Sequence, residues 1–271
     1  MELVAWASMV ETINIGGLAV LHAQPEIVRG PAVLFVHGIV VDAQVWADWL
    51  PFFAARGLPA FAVSLRGHGA SGTVPDLGHV SMNDYVDDAT AVARHIGRPA
   101  VVGHSMGGLL AQRLAERDVV QSATLITPAP PRGIILFSPK LALKQIKYLP
   151  SLLFNRPIVV DPEELREIAM NCAPPEVQAR ALAQLVPESG RAMRELSIVG
   201  VPVDATKIRC PVQVFAAEHD RFVPPKIVAK IARRYHAPLT VIPGHSHIVI
   251  QEPGWQSLAA TVAEWIATPR P

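Results

Sequence analysis

The stretch Gly103-His104-Ser105-Met106-Gly107 constrains the fold of this chain more than any other. An apolar run from Ala100 to Val102 leads into it, and Leu109, Leu110 and Leu114 follow at helical spacing. The pattern is strand, sharp turn, helix, with a serine at the apex. Such a turn forces strained backbone angles on Ser105, and Gly103 and Gly107 leave room for strand and helix to approach closely. It holds the hydroxyl out of the sheet, in front of a helix N-terminus suited to negative charge. A tight structural turn is the bland alternative. The strand before and the helix after favour a nucleophile.

The flanking sequence repeats the alternation. Met9 to Ile15 and Leu18 to Ala23 read as strands joined at Gly16-Gly17, which is hairpin punctuation. Further strands are expected over Pro31–Val36, Leu58–Ser64, Val120–Thr127, Pro211–Ala217 and Leu239–Ile242. Helices are expected after Asp42, a candidate N-cap, and over Asn83–Ile96, Pro224–Tyr235 and Pro253–Ala267. Strands alternating with helices imply parallel crossovers and an α/β, doubly wound sheet, with its sites at the carboxyl ends of the strands.

From Pro128 the texture changes. Eleven prolines between Pro128 and Pro202 cut the chain into short pieces. Short helices are expected over Pro139–Phe154, Asp161–Cys172, Pro175–Val186 and Glu188–Ile198. Residues 128–204 therefore read as a helical cap inserted into a core formed by residues 1–127 and 205–271. Ile134, Ile135, Leu136, Phe137, Tyr148, Leu152, Leu153 and Phe154 could line an apolar entrance; with Trp46, Met106, Val223 and Ile248 they suggest an apolar pocket. Gluing the cap to the sheet is the plainer role for any single one of them. Lys140, Lys144 and Lys147 form a basic stripe, read as a solvated helix face.

Composition narrows the function. Half of the 271 residues are hydrophobic and 17% are charged, which supplies an ample core. A net charge of +1 and the lack of a long basic run give no case for nucleic acid. Cys172 and Cys210 stand far apart and read as ordinary apolar residues in a reducing compartment. No metal-ligand spacing or phosphate loop is present in the sequence, so no metal and no cofactor are expected. The N-terminal residues carry Glu2 and no basic region, and no apolar run is long enough to span a bilayer; a cytoplasmic protein without stable membrane insertion is expected.

A serine hydroxyl needs a base within hydrogen-bond reach, and a histidine base needs an acid to orient it. Two late loops offer both: Glu218-His219-Asp220-Arg221-Phe222-Val223-Pro224, and Pro243-Gly244-His245-Ser246-His247. The elbow, His37-Gly38, the loop Arg66-Gly67-His68-Gly69-Ala70-Ser71-Gly72, the His-Asp-x-x-Val-Pro segment and the late histidine together resemble the α/β-hydrolase family, in order over nearly the whole chain. The resemblance implies an α/β-hydrolase fold: a mostly parallel, doubly wound sheet with an inserted helical cap. It assigns the acid to Asp220, with Glu218 and Asp161 as alternatives. His247 is favoured as the base, because Ile-Val-Ile-Gln-Glu252-Pro253 follows it; His245 is read as a loop residue or a supporting hydrogen-bond partner. The backbone N–H groups of Met106 and, by resemblance, Ile39 form the oxyanion hole. His37 and the Arg66–Gly69 loop are read as structural, and His104 as a packing residue.

The expected activity is cofactor-independent serine hydrolysis of a carboxylic ester or lactone, or an amide, with an apolar moiety. The expected partner is a small-molecule substrate, and a homo-oligomer is compatible with the sequence. A C–C bond hydrolase or a perhydrolase could use the same triad, and so could a ligand receptor that keeps a slow hydrolase triad. An aspartate at the elbow would suggest a dehalogenase or an epoxide hydrolase; serine argues against both.

Overall fold

The computed structural model describes residues 10–136, 143 and 146–268. One eight-stranded sheet runs through it, in the order β1-β2-β4-β3-β5-β6-β7-β8. The strands are β1 (Glu11–Ile15), β2 (Leu18–Ala23), β3 (Val33–Val36), β4 (Ala60–Val63), β5 (Ala100–His104), β6 (Ser122–Ile126), β7 (Val212–Ala217) and β8 (Leu239–Ile242). The first pairings, β1 with β2 and β2 with β4, are antiparallel; the remainder are parallel. Gly16 and Gly17 both take positive φ, the conformation a two-residue hairpin turn requires.

The central strands are buried on both faces, as parallel strands covered by crossover helices must be. Alternation divides their side chains. Leu34, Val36 and Val101 join one core with α2 (Met82–Ile96), α3 (Met106–Glu116) and α8 (Pro225–Arg234). Val33, Phe35, Ala100 and Val102 join the other, with α1 (Trp49–Ala54) and α9 (Trp255–Ala267). Helix α2 begins one residue before its expected start because Ser81 and Asp84 form a capping box. Asp42 does cap the turn that follows it, accepting from the Gln44 N–H at 2.8 Å.

Between β6 and β7 come the short helices α4 (Leu149–Leu153), α5 (Pro162–Ile168), α6 (Pro175–Ala183) and α7 (Gly190–Arg194). The helix expected over Glu188–Ile198 divides into α7 and a π-helical turn, Glu195–Val199. The first part of the helix expected over Pro139–Phe154 lies outside the described residues, as do Lys140 and Lys144; its second part is a 3-10 turn, Ile146–Tyr148, followed by α4. Lys147 forms ion pairs with Asp161 and Glu164. A third apolar cluster joins this stretch to the loops above the sheet: Leu165, Ile168, Ala169, Met170, Ala173 and Ala181 meet Val40 and Ile248. None of the described helices is long and apolar enough to cross a membrane.

Candidate active site

Ser105 stands between β5 and α3 with φ 55° and ψ −119°. For a residue with a Cβ this is costly, and it persists because the surroundings over-determine it. The Ser105 N–H donates to the Ile126 carbonyl at 3.1 Å, and the Ser105 carbonyl accepts from Ala129 N–H at 2.9 Å. The two glycines of the elbow are needed for their missing side chains. A Cβ on Gly103 would lie 2.1 Å from the Gly107 carbonyl oxygen, and one on Gly107 would lie 2.1 Å from that of Val36.

Three loops at the carboxyl ends of β5, β7 and β8 converge. His247 Nε2 lies 2.9 Å from Ser105 Oγ, and His247 Nδ1 lies 2.7 Å from Asp220 Oδ2. The other Asp220 oxygen accepts the N–H groups of Phe222 and Val223, each at 2.8 Å. An ionised carboxylate can only accept, so Nδ1 carries the imidazole proton and Nε2 presents its lone pair to the serine hydroxyl. All three side chains are buried.

The alternatives lie elsewhere. Glu218 is half exposed and accepts from Gly244 N–H at 2.8 Å. Asp161 caps α5. His245 contacts the carbonyls of Pro243 and Pro253 at 2.7 and 2.9 Å, bracing the ends of its own loop.

Gly38 and Ile39 lie against Ser105. A Cβ on Gly38 would come 3.2 Å from Ser105 Cβ, and both residues share a pocket with Ser105 and His247. Met106 opens α3, and the first N–H groups of a helix have no intrahelical acceptor. His37 Nδ1 donates to the Gly38 carbonyl at 2.8 Å, while its Nε2 accepts from Leu65 N–H at 3.1 Å. Burial, reinforced by nearby His68, lowers the His37 pKa to about 3. A neutral imidazole thus holds the peptide plane whose other side bears the Ile39 N–H.

The pocket is small, about 60 Å³, and its wall is mostly apolar. Leu165, Ala169, Met170, Leu185, Phe222 and Ile248 are among the side chains that enclose it. Of the pocket residues expected from sequence, Ile248 lies in this wall. Trp46 does not: it sits in the core on the α1–α9 face, against Phe35 and Trp49. Tyr148 is spent on the β6–β7 stretch, its hydroxyl between Glu164 and the Asp161 N–H. Leu153 faces solvent. Val223 is buried beneath the site and serves Asp220 through its main chain. Phe137 lies outside the described residues. Phe222 carried a signal, since it falls within the acid loop, and its ring meets His247 edge-on at 5.0 Å. Leu165 and Met170 carried none.

A sheet of this order with an acid, a base and a serine on these three loops defines the α/β-hydrolase class. A model of the alpha/beta hydrolase family matches residues 33–261, and the chain belongs to that family of hydrolase enzymes. It is 25% identical over 253 residues to epoxide hydrolase 3 of Xenopus tropicalis, covering 83% of this chain and 68% of that one. It is 36% identical over 107 residues to a non-heme chloroperoxidase of Streptomyces lividans, where the match spans only 38% of either chain. In fold it is similar to a thermophilic esterase from Thermogutta terrifontis, with a TM-score of 0.70, 23% identity, and 94% and 96% of the two chains covered.

Proposed function

We propose that this protein is a serine hydrolase that cleaves a carboxylic ester or lactone with an apolar moiety through an acyl-enzyme. One observation carries the proposal: the unbroken chain Asp220–His247–Ser105, at 2.7 and 2.9 Å, opening into an apolar pocket. Ser105 Oγ attacks the carbonyl carbon while His247 Nε2 takes its proton. The Ile39 and Met106 N–H groups receive the charge that develops on the carbonyl oxygen. His247 passes its proton to the leaving alcohol, then draws one from the water that attacks the acyl carbon and returns it to Ser105 Oγ as the serine ester bond breaks and the acid leaves. Asp220 holds the tautomer and balances the imidazolium.

The pocket wall suits a hydrocarbon acyl or alcohol group, and the small space favours a short one. The serine at the elbow argues against the epoxide-opening activity in the name of the Xenopus relative. Hydrolysis of p-nitrophenyl esters, lactones and anilides by wild type and Ser105→Ala tests the proposal. Ester or lactone turnover that disappears in Ser105→Ala supports it; full turnover without the serine ends it.

A further inference from the structure

We propose that Glu188 is a positioning residue for the oxyanion loop, reaching from the β6–β7 stretch to hold the strained Val40 peptide and pairing with His68 beneath it. The inference rests on the serine-hydrolase proposal above.

Glu188 is fully buried, and its carboxylate meets four donors. Oε2 accepts from Val40 N–H at 3.2 Å and faces His68 Nε2 at 3.3 Å. Oε1 accepts from the Tyr85 hydroxyl and from Ser189 N–H, each at 2.7 Å. The other side of Val40 is also held from this segment, because its carbonyl accepts from Val186 N–H at 2.8 Å. Val40 has φ 56°, a left-handed conformation that a β-branched side chain strongly resists. Strain of this kind persists where the surroundings impose it, and it gathers at active sites.

The residue held this way adjoins Ile39. The peptide on one side of Ile39 carries the Val40 N–H that Glu188 binds. The peptide on its other side carries the Ile39 N–H, opposite the Gly38 carbonyl that His37 binds. Both planes flanking Ile39 are thus anchored, and His68 stands between the two anchors: it pairs with Glu188, and its ring centroid lies 5.2 Å from that of His37.

A buried carboxylate is an expensive way to fasten one segment to another, since apolar side chains do so without the cost of desolvating charge. What the carboxylate adds is directed acceptance of specific N–H and O–H groups. His68 Nδ1 faces the Arg66 carbonyl at 3.1 Å, so with Glu188 on Nε2 both its nitrogens meet acceptors. Burial depresses the His68 pKa, but the charge and hydrogen bond of Glu188 outweigh this, and the net shift is upward. Burial likewise opposes the charge on Glu188, and His68, Tyr85 and Ser189 together bring its pKa below the ordinary value. Glu188 and His68 thus form a buried carboxylate–imidazole pair, faced also by Tyr85, His37 and Asp42.

The test compares Glu188→Gln with wild type on p-nitrophenyl butyrate, together with the rate at which a fluorophosphonate probe labels Ser105. The expected result is a kcat lower by about 10- to 100-fold, short of the about 10²- to 10³-fold loss of an entire oxyanion donor, with KM within about threefold. Labelling slows in parallel. Val203→Ala, a buried apolar truncation in the same stretch, is expected to lower Tm while leaving kcat near wild type. If Glu188→Gln does not fold, Tyr85→Phe decides, with an expected fall of about three- to tenfold in kcat at unchanged KM. A Glu188→Gln or Tyr85→Phe enzyme with wild-type kcat and labelling overturns this proposal and leaves the serine mechanism standing. Wild-type protein that is not labelled at Ser105 overturns both.

Discussion

His104 and His247 meet through the main chain: His104 Nε2 lies 2.9 Å from the carbonyl oxygen of His247. A carbonyl can only accept, so the proton resides on Nε2. Burial, and then the neighbouring His247, lowers the His104 pKa to about 3. The ring beside Ser105 is therefore a neutral donor that steadies the main chain of His247. In His104→Ala that carbonyl retains, among the described residues, the Thr127 hydroxyl at 3.4 Å. Steady-state ester kinetics are expected to show kcat lower by about tenfold, the equivalent of about 1.4 kcal/mol, with KM little changed.

Asp220→Asn tests the tautomer argument. The two main-chain N–H groups on Oδ1 can still anchor an amide oxygen, so the loop keeps its shape. The amide N–H₂ then faces His247 Nδ1 and favours the proton on Nε2, where it cannot accept from Ser105. A fall of about 10⁴ in kcat at neutral pH is expected, with an unchanged circular dichroism spectrum.

The glycines around the nucleophile separate folding from catalysis. Gly107→Ala sets a Cβ against the Val36 and His37 main chain, which cannot yield, and a loss of about 3 kcal/mol or more in denaturant unfolding is expected. Gly38→Ala meets Ser105 Cβ at 3.2 Å and His104 Nδ1 at 3.4 Å. A shift of a few tenths of an ångström relieves it, so stability should fall little while kcat falls, because the displaced groups are the reacting ones.

Acid stability follows from the two buried neutral histidines. His37 and His104 each titrate near 3 in the fold, against 6.5 when exposed. Between those values the unfolded chain binds more protons, so their contribution is complete above pH 6.5 and is lost as pH falls toward 3. Unfolding free energy measured by denaturant titration should decline across that window with a slope approaching two protons. A stability independent of pH between 6.5 and 4 would contradict the assignment.

Pocket variants should act on selectivity. Leu185→Trp reduces the space beside Ser105, and the preferred p-nitrophenyl ester is expected to shorten. Trp46→Ala empties the α1–α9 core instead; a loss of about 3–5 kcal/mol with an unaltered chain-length profile is expected.

Much of this architecture was legible in the residue order. β-branched runs ending in glycine or histidine mark parallel strands whose carboxyl ends must share one rim, so the loops bearing Ser105, Asp220 and His247 could be drawn together before any coordinate. Direction was not legible. Apolarity says that Trp46 is inside but not on which side of β3; the 3-10 turn that carries it packs the ring on Phe35 and Trp49, away from the pocket. Tyr148 and Leu153 lie on helices too short to declare a buried face. Glu188 is a single acidic residue in a proline-cut stretch. Its importance arises only from tertiary contacts with Val40, His68 and Tyr85, between 103 and 148 positions away.

The carbonyl of Ala169, at the end of α5, meets the Ser246 hydroxyl at 2.9 Å and the Ile248 N–H at 3.2 Å, one on either side of His247. Both neighbours of His247 thus share one acceptor on the β6–β7 stretch, so whatever is built or substituted in that stretch is felt at the imidazole through its own main chain.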